Sequence, residues 1–139
     1  MSHKSLLIIL LPFALLVLTQ CDRQQTEVIG LQKETEYIHD EAMQDMAKMN
    51  RIGRQLKKEM MSIDSLTSRH DSIVVVLARM KTAEDEMMGW MKNYQAPDAK
   101  SPDAKAYLEN QKKLIEQNHR NICDALRAGE TLTTVSNSK

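Results

Sequence analysis

A chain of 139 residues allows one modest domain, and its 19 basic and 19 acidic side chains leave no net basic footprint for a nucleic-acid partner. Two cysteines, Cys21 and Cys123, do not make a disulfide framework, so the fold has to stand on an apolar core. No strand alternation, internal repeat or low-complexity tract is present in the sequence, which points to the all-α class.

Lys4 precedes an apolar run from Leu6 to Leu18, interrupted only by Pro12 and closed by Leu18-Thr19-Gln20-Cys21. This run is shorter than the ~20 residues that a hydrocarbon core demands of a spanning helix. A positive residue ahead of a short apolar run is instead the pattern of an export signal. The stretch resembles a bacterial lipoprotein signal with its lipobox, with Gln20 standing where Gly, Ala or Ser is usual. That resemblance implies removal of residues 1–20 and lipid attachment at Cys21. It also implies anchoring to a bacterial membrane in the cell envelope, facing the periplasm or at the cell surface. Cys123 then stands alone beside Ile122 on a helical pattern, the setting of a buried core cysteine, with an intermolecular or reactive thiol as the alternative.

Residues 21–27 are polar, lack Gly and Pro, and read as a short lipidated tether. A three-helix domain is expected over 28–128. The first helix is expected over about 28–65, with Ala42, Met46, Met49, Gly53, Leu56, Met60 and Ile63 on one face at steps of three and four. Lys48, Arg51, Arg54, Lys57 and Lys58 fall mostly off that stripe and read as a solvated basic face. A polar turn at 67–71, with Ser68 and Asp71 as cap candidates, leads to a second helix over about 72–94. Its stripe is Val76, Met80, Ala83, Met87, Trp90 and Tyr94, and Pro97 ends it. Ser101-Pro102 opens a third helix over about 101–127, striped by Ala104, Leu108, Gln111, Ile115, Asn118, Ile122, Ala125 and Leu126. Gly129 is placed as a C-terminal cap and residues 129–139 as a disordered tail.

Helices joined by short turns pack as antiparallel neighbours, so the expected architecture is an up-down-up bundle with an elongated first helix. Turns near residues 69 and 98 would leave about ten residues of the first helix projecting. Val28, Ile29 and Leu31 would then need cover from self-association, from a protein partner, or from the Pro97 loop folding back.

Two constellations invite chemistry. Glu36/His39 and Glu116/His119 repeat the Glu-x-x-His motif of di-iron bundles, but the expected turns put His119 level with about Met61, roughly 33 Å from His39 along the axis. His39, Met43, Met46 and Met49 recur once per turn on the first helix, opposite Met87, Met88, Trp90 and Met91. This cluster reads as the flexible filling of an irregular core. Alternatively, His39, Met43, Met46, Met87, Met88 and Met91 supply soft ligands for Cu(I), the one cofactor besides the lipid that the sequence suggests. Neither Ser nor Cys sits on a strand-mounted elbow, so no catalysis is expected.

The segments His39-Asp-Glu-Ala-Met43 and Asp85-Glu-Met-Met-Gly-Trp-Met91 are similar to small helical lipoproteins of Bacteroidetes, labelled hypothetical or viral A-type inclusion repeat-like. The resemblance implies fold and anchoring and brings no catalytic residue. A structural or protein-interaction role in the envelope is the resulting expectation, with Cu(I) handling as its alternative.

Overall fold

The computed structural model describes the backbone of residues 3–137 and the side chains of residues 23–134. It contains three helices, α1 (His3–Met60), α2 (Ser68–Asn93) and α3 (Ala104–Asn137), packed against one another as an up-down-up bundle. The signal reading of residues 1–20 and the lipid attachment at Cys21 rest on side chains outside those described. Among the described residues no helix is long and apolar enough to cross a membrane.

The core follows a seven-residue repeat in every helix. Val28, Thr35, Ala42, Met49 and Leu56 of α1 are all fully buried, as are Leu108, Ile115 and Ile122 of α3, with Gly129 buried at the next repeat. Ile73, Met80 and Met87 mark the same interval on α2. A strict heptad spacing keeps one seam facing its partners through a slight left-handed supercoil, because seven residues fall just short of two full turns. Each Leu, Ile or Met so buried contributes about 1.5–3 kcal/mol. Thr35 satisfies its buried hydroxyl locally, donating to the Leu31 carbonyl at 2.8 Å. Three residues after each buried position on α1 comes a half-buried column of Leu31, Ile38, Asp45, Ile52 and Glu59. Two of its five members are carboxylates, and each has a dedicated cationic partner, described below.

Several expected boundaries move. Residues 23–27, read as a tether, are the continuation of α1. The helix stops at Met60, short of residue 65, and Thr67 rather than Ser68 or Asp71 caps α2, its hydroxyl accepting from the His70 N–H at 3.2 Å. Ser101 does not cap α3 directly; its carbonyl accepts from Ala104 N–H at 3.1 Å, closing a turn from which the helix starts. Gly129 is interior to α3. A Cβ there would lie 2.8 Å from Ile52 Cγ2 and would overlap Met80 Cε, so the glycine serves close approach of the helices rather than termination. Beyond it α3 continues to Asn137 where a disordered tail was expected. Leu132 explains this: its side chain packs on the main core and its carbonyl accepts from Arg69 Nη1 at 2.8 Å.

These shifts change the register. The α1–α2 turn comes earlier than expected and the α2–α3 loop is centred later, and both effects slide α3 toward the start of α1. Lys105 therefore pairs with Glu27 at 2.8 Å and Lys112 with Glu34 at 2.7 Å, one heptad apart, while His119 meets Asp45 and not Met61. The displacement is about 16 residues, or about 24 Å at ~1.5 Å per residue. The projecting segment disappears accordingly. Val28 is buried against Ala104 and Leu108, with Leu31, Tyr94, Ala99 and Tyr107 closing the second cluster, so cover comes from within the chain. Of the three residues expected to lie bare, Ile29 remains so at 41% exposure.

Candidate functional site

Asp45 stands between Ile38 and Ile52 in the half-buried column of α1, at mid-bundle and facing α3. His119 and Cys123 lie four residues apart on α3, so successive turns present both on one face. His119 Nε2 is 3.0 Å from Asp45 Oδ2, and Cys123 Sγ donates to the same oxygen at 3.6 Å. Because an ionised carboxylate can only accept, the imidazole nitrogen facing it is the protonated one. Lys48, one turn further along α1, donates to the other oxygen, Oδ1, at 2.8 Å. The Asp45 and His119 side chains each keep 22% exposure, enough for solvent to reach the cluster.

The electrostatics follow from that geometry. The Lys48 ammonium first, and His119 second, hold the Asp45 carboxyl below the usual carboxylate range, and Asp45 in return raises Lys48. Burial, then the charge of Asp45, pushes the Cys123 thiol up. At neutral pH Cys123 is thus a protonated thiol. Its sulfur hydrogen-bonds to the carboxylate and not to the imidazole, so the trio lacks the base contact that activates a nucleophile.

A depressed carboxyl stabilises the fold above its unfolded pKa, and that contribution is lost as pH falls through the folded value. Asp45→Asn should therefore be less stable than wild type by about 1–3 kcal/mol at neutral pH. The difference should shrink as the solution is acidified below the carboxylate range, and denaturant titrations at the two pH values check it. A difference that persists undiminished in acid would mean that the asparagine disturbs packing and that charge is not the cause.

The methionine cluster expected from the sequence is divided. Met46 and Met87 are buried in the main core, with Met43 and Trp90 packed against it, and His39 stacks on Trp90 with ring centroids 5.7 Å apart. Met88 and Met91 are instead 52% and 38% exposed, outside the packed layer. Trp90 continues an aromatic ladder to Tyr94, at 4.7 Å, and on to Tyr107, at 6.4 Å, linking the main core to the cluster around Val28. The two Glu-x-x-His motifs also end up nearer than expected. His119 meets Asp45, six residues from His39 and so about 9 Å along the axis, but its ring nitrogen is engaged by that carboxylate.

The Asp45 cluster is hidden in the sequence because Cys123 falls on a core-like pattern and the expected turns put His119 level with about Met61. A signal was present: Asp45 is an acid inside an apolar period, and His119-x-x-x-Cys123 has the spacing of two ligands on one helical face. Comparison of the chain with protein-family models, with curated proteins and with solved structures finds no match to any of them.

Proposed function

We propose that this protein is a lipid-anchored, exported helical bundle of the bacterial cell envelope with a structural or protein-interaction role. The observation that carries the reading is the join between the anchor signal and the fold. α1 continues without a break from the apolar run and Cys21 into the bundle, with residues 23–27 part of it and no flexible linker between. From Cys21 to Met60 such a helix spans about 60 Å at ~1.5 Å per residue. A lipid on Cys21 would hold the bundle as a short rigid stalk, with Met61 and Leu66 of the α1–α2 turn, 79% and 92% exposed, at the end away from the bilayer. The alternative of Cu(I) handling is less well supported, because Met46 and Met87 are spent on core packing and Met88 and Met91 lie outside that layer.

Fractionation of cells expressing the full chain or its Cys21→Ala variant tests the anchor. The wild-type protein should partition into membranes with a mass that corresponds to loss of residues 1–20 and acylation of Cys21. The variant should lose both the lipid and the cleavage. A membrane form with an intact Met1 terminus, or a Cys21→Ala protein that is cleaved and still membrane-bound, would refute the reading.

A further inference from the structure

We propose that Asp45, His119 and Cys123 form a binding site for one divalent metal ion of the zinc class, with a carboxylate oxygen, an imidazole nitrogen and a thiolate as ligands. This site does not depend on the lipid anchor and shares no residue with the methionine cluster.

Three features of the geometry support it. The ligand atoms are already gathered: one carboxylate oxygen, a ring nitrogen and the sulfur all lie within 4.8 Å of one another. A tetrahedral zinc ion with bonds of about 2.0–2.3 Å keeps its ligand atoms roughly 3.4–3.8 Å apart, so side-chain adjustments of about 1 Å suffice. The two α3 ligands converge on a single oxygen, Asp45 Oδ2, as they would on an ion placed beside it. The other oxygen is already held by Lys48 at 2.8 Å, which leaves Oδ2 aimed at α3, the kind of outer contact that orients a ligating carboxylate.

The chemistry of the set selects the ion. Imidazole with thiolate and a single carboxylate suits a borderline cation such as Zn(II) or Co(II), whereas Ca(II) and Mg(II) ask for oxygen ligands and Cu(I) for soft ones. Binding breaks the Cys123 S–H bond and sends that proton to solvent. The His119 Nε2 proton gives way to the metal while the ring stays neutral, protonated at Nδ1. The carboxylate and thiolate charges then balance the dication. Three protein ligands leave a fourth position for water, and the partial exposure of Asp45 and His119 gives the ion a path in.

The competing account is that the cluster only fixes helix register, as polar residues at coiled-coil seams do. Co(II) separates the two, because a thiolate bound to it gives a near-ultraviolet charge-transfer band that a hydrogen-bonded thiol does not. The full chain is titrated with Co(II) in detergent alongside its Cys21→Ser, Cys123→Ser, His119→Gln and His39→Ala variants, with helicity followed by circular dichroism.

One Co(II) per chain is expected, with the band present in wild type and in Cys21→Ser, where Cys123 is the one remaining thiol. The band should vanish in Cys123→Ser, affinity should fall at least about 10-fold in His119→Gln, and His39→Ala should match wild type. Zn(II) should displace Co(II) and raise the melting temperature of Cys21→Ser. Absence of the band in Cys21→Ser overturns the proposal even if Cys123→Ser fails to fold. So does a band that survives loss of Cys123, or one that requires His39.

Discussion

Ile122→Ala is expected to destabilise the bundle by about 2–5 kcal/mol, whereas Met87→Leu, in the same core, should cost under about 1.5 kcal/mol. Both side chains are fully buried. The difference lies in volume. Alanine at 122 removes most of a β-branched side chain from the centre of the α3 repeat and leaves a cavity that rigid helices cannot close, while leucine for methionine conserves bulk. Against a total stability of 5–15 kcal/mol for an ordinary domain, the first change removes a large fraction. Urea unfolding followed by helicity measures both. A loss below about 1 kcal/mol for Ile122→Ala would mean that the α3 repeat is not the centre of the core, and a loss above about 2 kcal/mol for Met87→Leu would show that sulfur at that position does more than fill space.

Arg69→Met should cost about 1.5–3 kcal/mol and loosen the last turns of α3 in particular. Arg69 joins all three helices at the end of the bundle. Its Nε and Nη2 grip both oxygens of Glu59 at 2.7 and 2.9 Å, and Nη1 donates to the Leu132 carbonyl at 2.8 Å. The two side chains are 25% and 24% exposed, so the pair is screened less than a surface bridge, which would be worth 0–1 kcal/mol. Methionine keeps the aliphatic length and removes all three bonds. Lys at 69 should rescue only part of the loss, because an ammonium cannot reproduce the planar two-oxygen grip. Hydrogen exchange at residues 130–134 is the sharper readout. Exchange there should accelerate well beyond that of the Ile115 region, and uniform acceleration along α3 would mean that Arg69 supports global stability without pinning the C-terminal turns.

The all-α class, the three helices and most of their buried faces were legible from residue spacing alone. Ala42, Met46, Met49, Leu56, Met80, Ala83, Met87, Leu108, Ile115 and Ile122 were all assigned to the core by their spacing and are all buried. A face is a local property: steps of three and four put side chains on one side of a helix whatever it packs against. Register is not local. Sliding α3 along α1 by seven residues, about 10 Å, presents the same kind of stripe to the same kind of seam, so periodicity cannot say which heptad meets which. Turn positions must supply that information, and here no Gly or Pro marks the first turn, so a few residues of error at each of two connections added up to about two heptads. What fixed the register were residues that break the period. Asp45 meets partners on α3 where His119 and Cys123 are, Gly129 permits contact only beside Ile52 and Met80, and Arg69 reaches Glu59 and Leu132 only at the end of the bundle. The candidate site was hidden for the same reason. Its residues are 74 and 78 positions apart in the chain, and only the packing of α1 against α3 brings one carboxylate to an imidazole and a thiol.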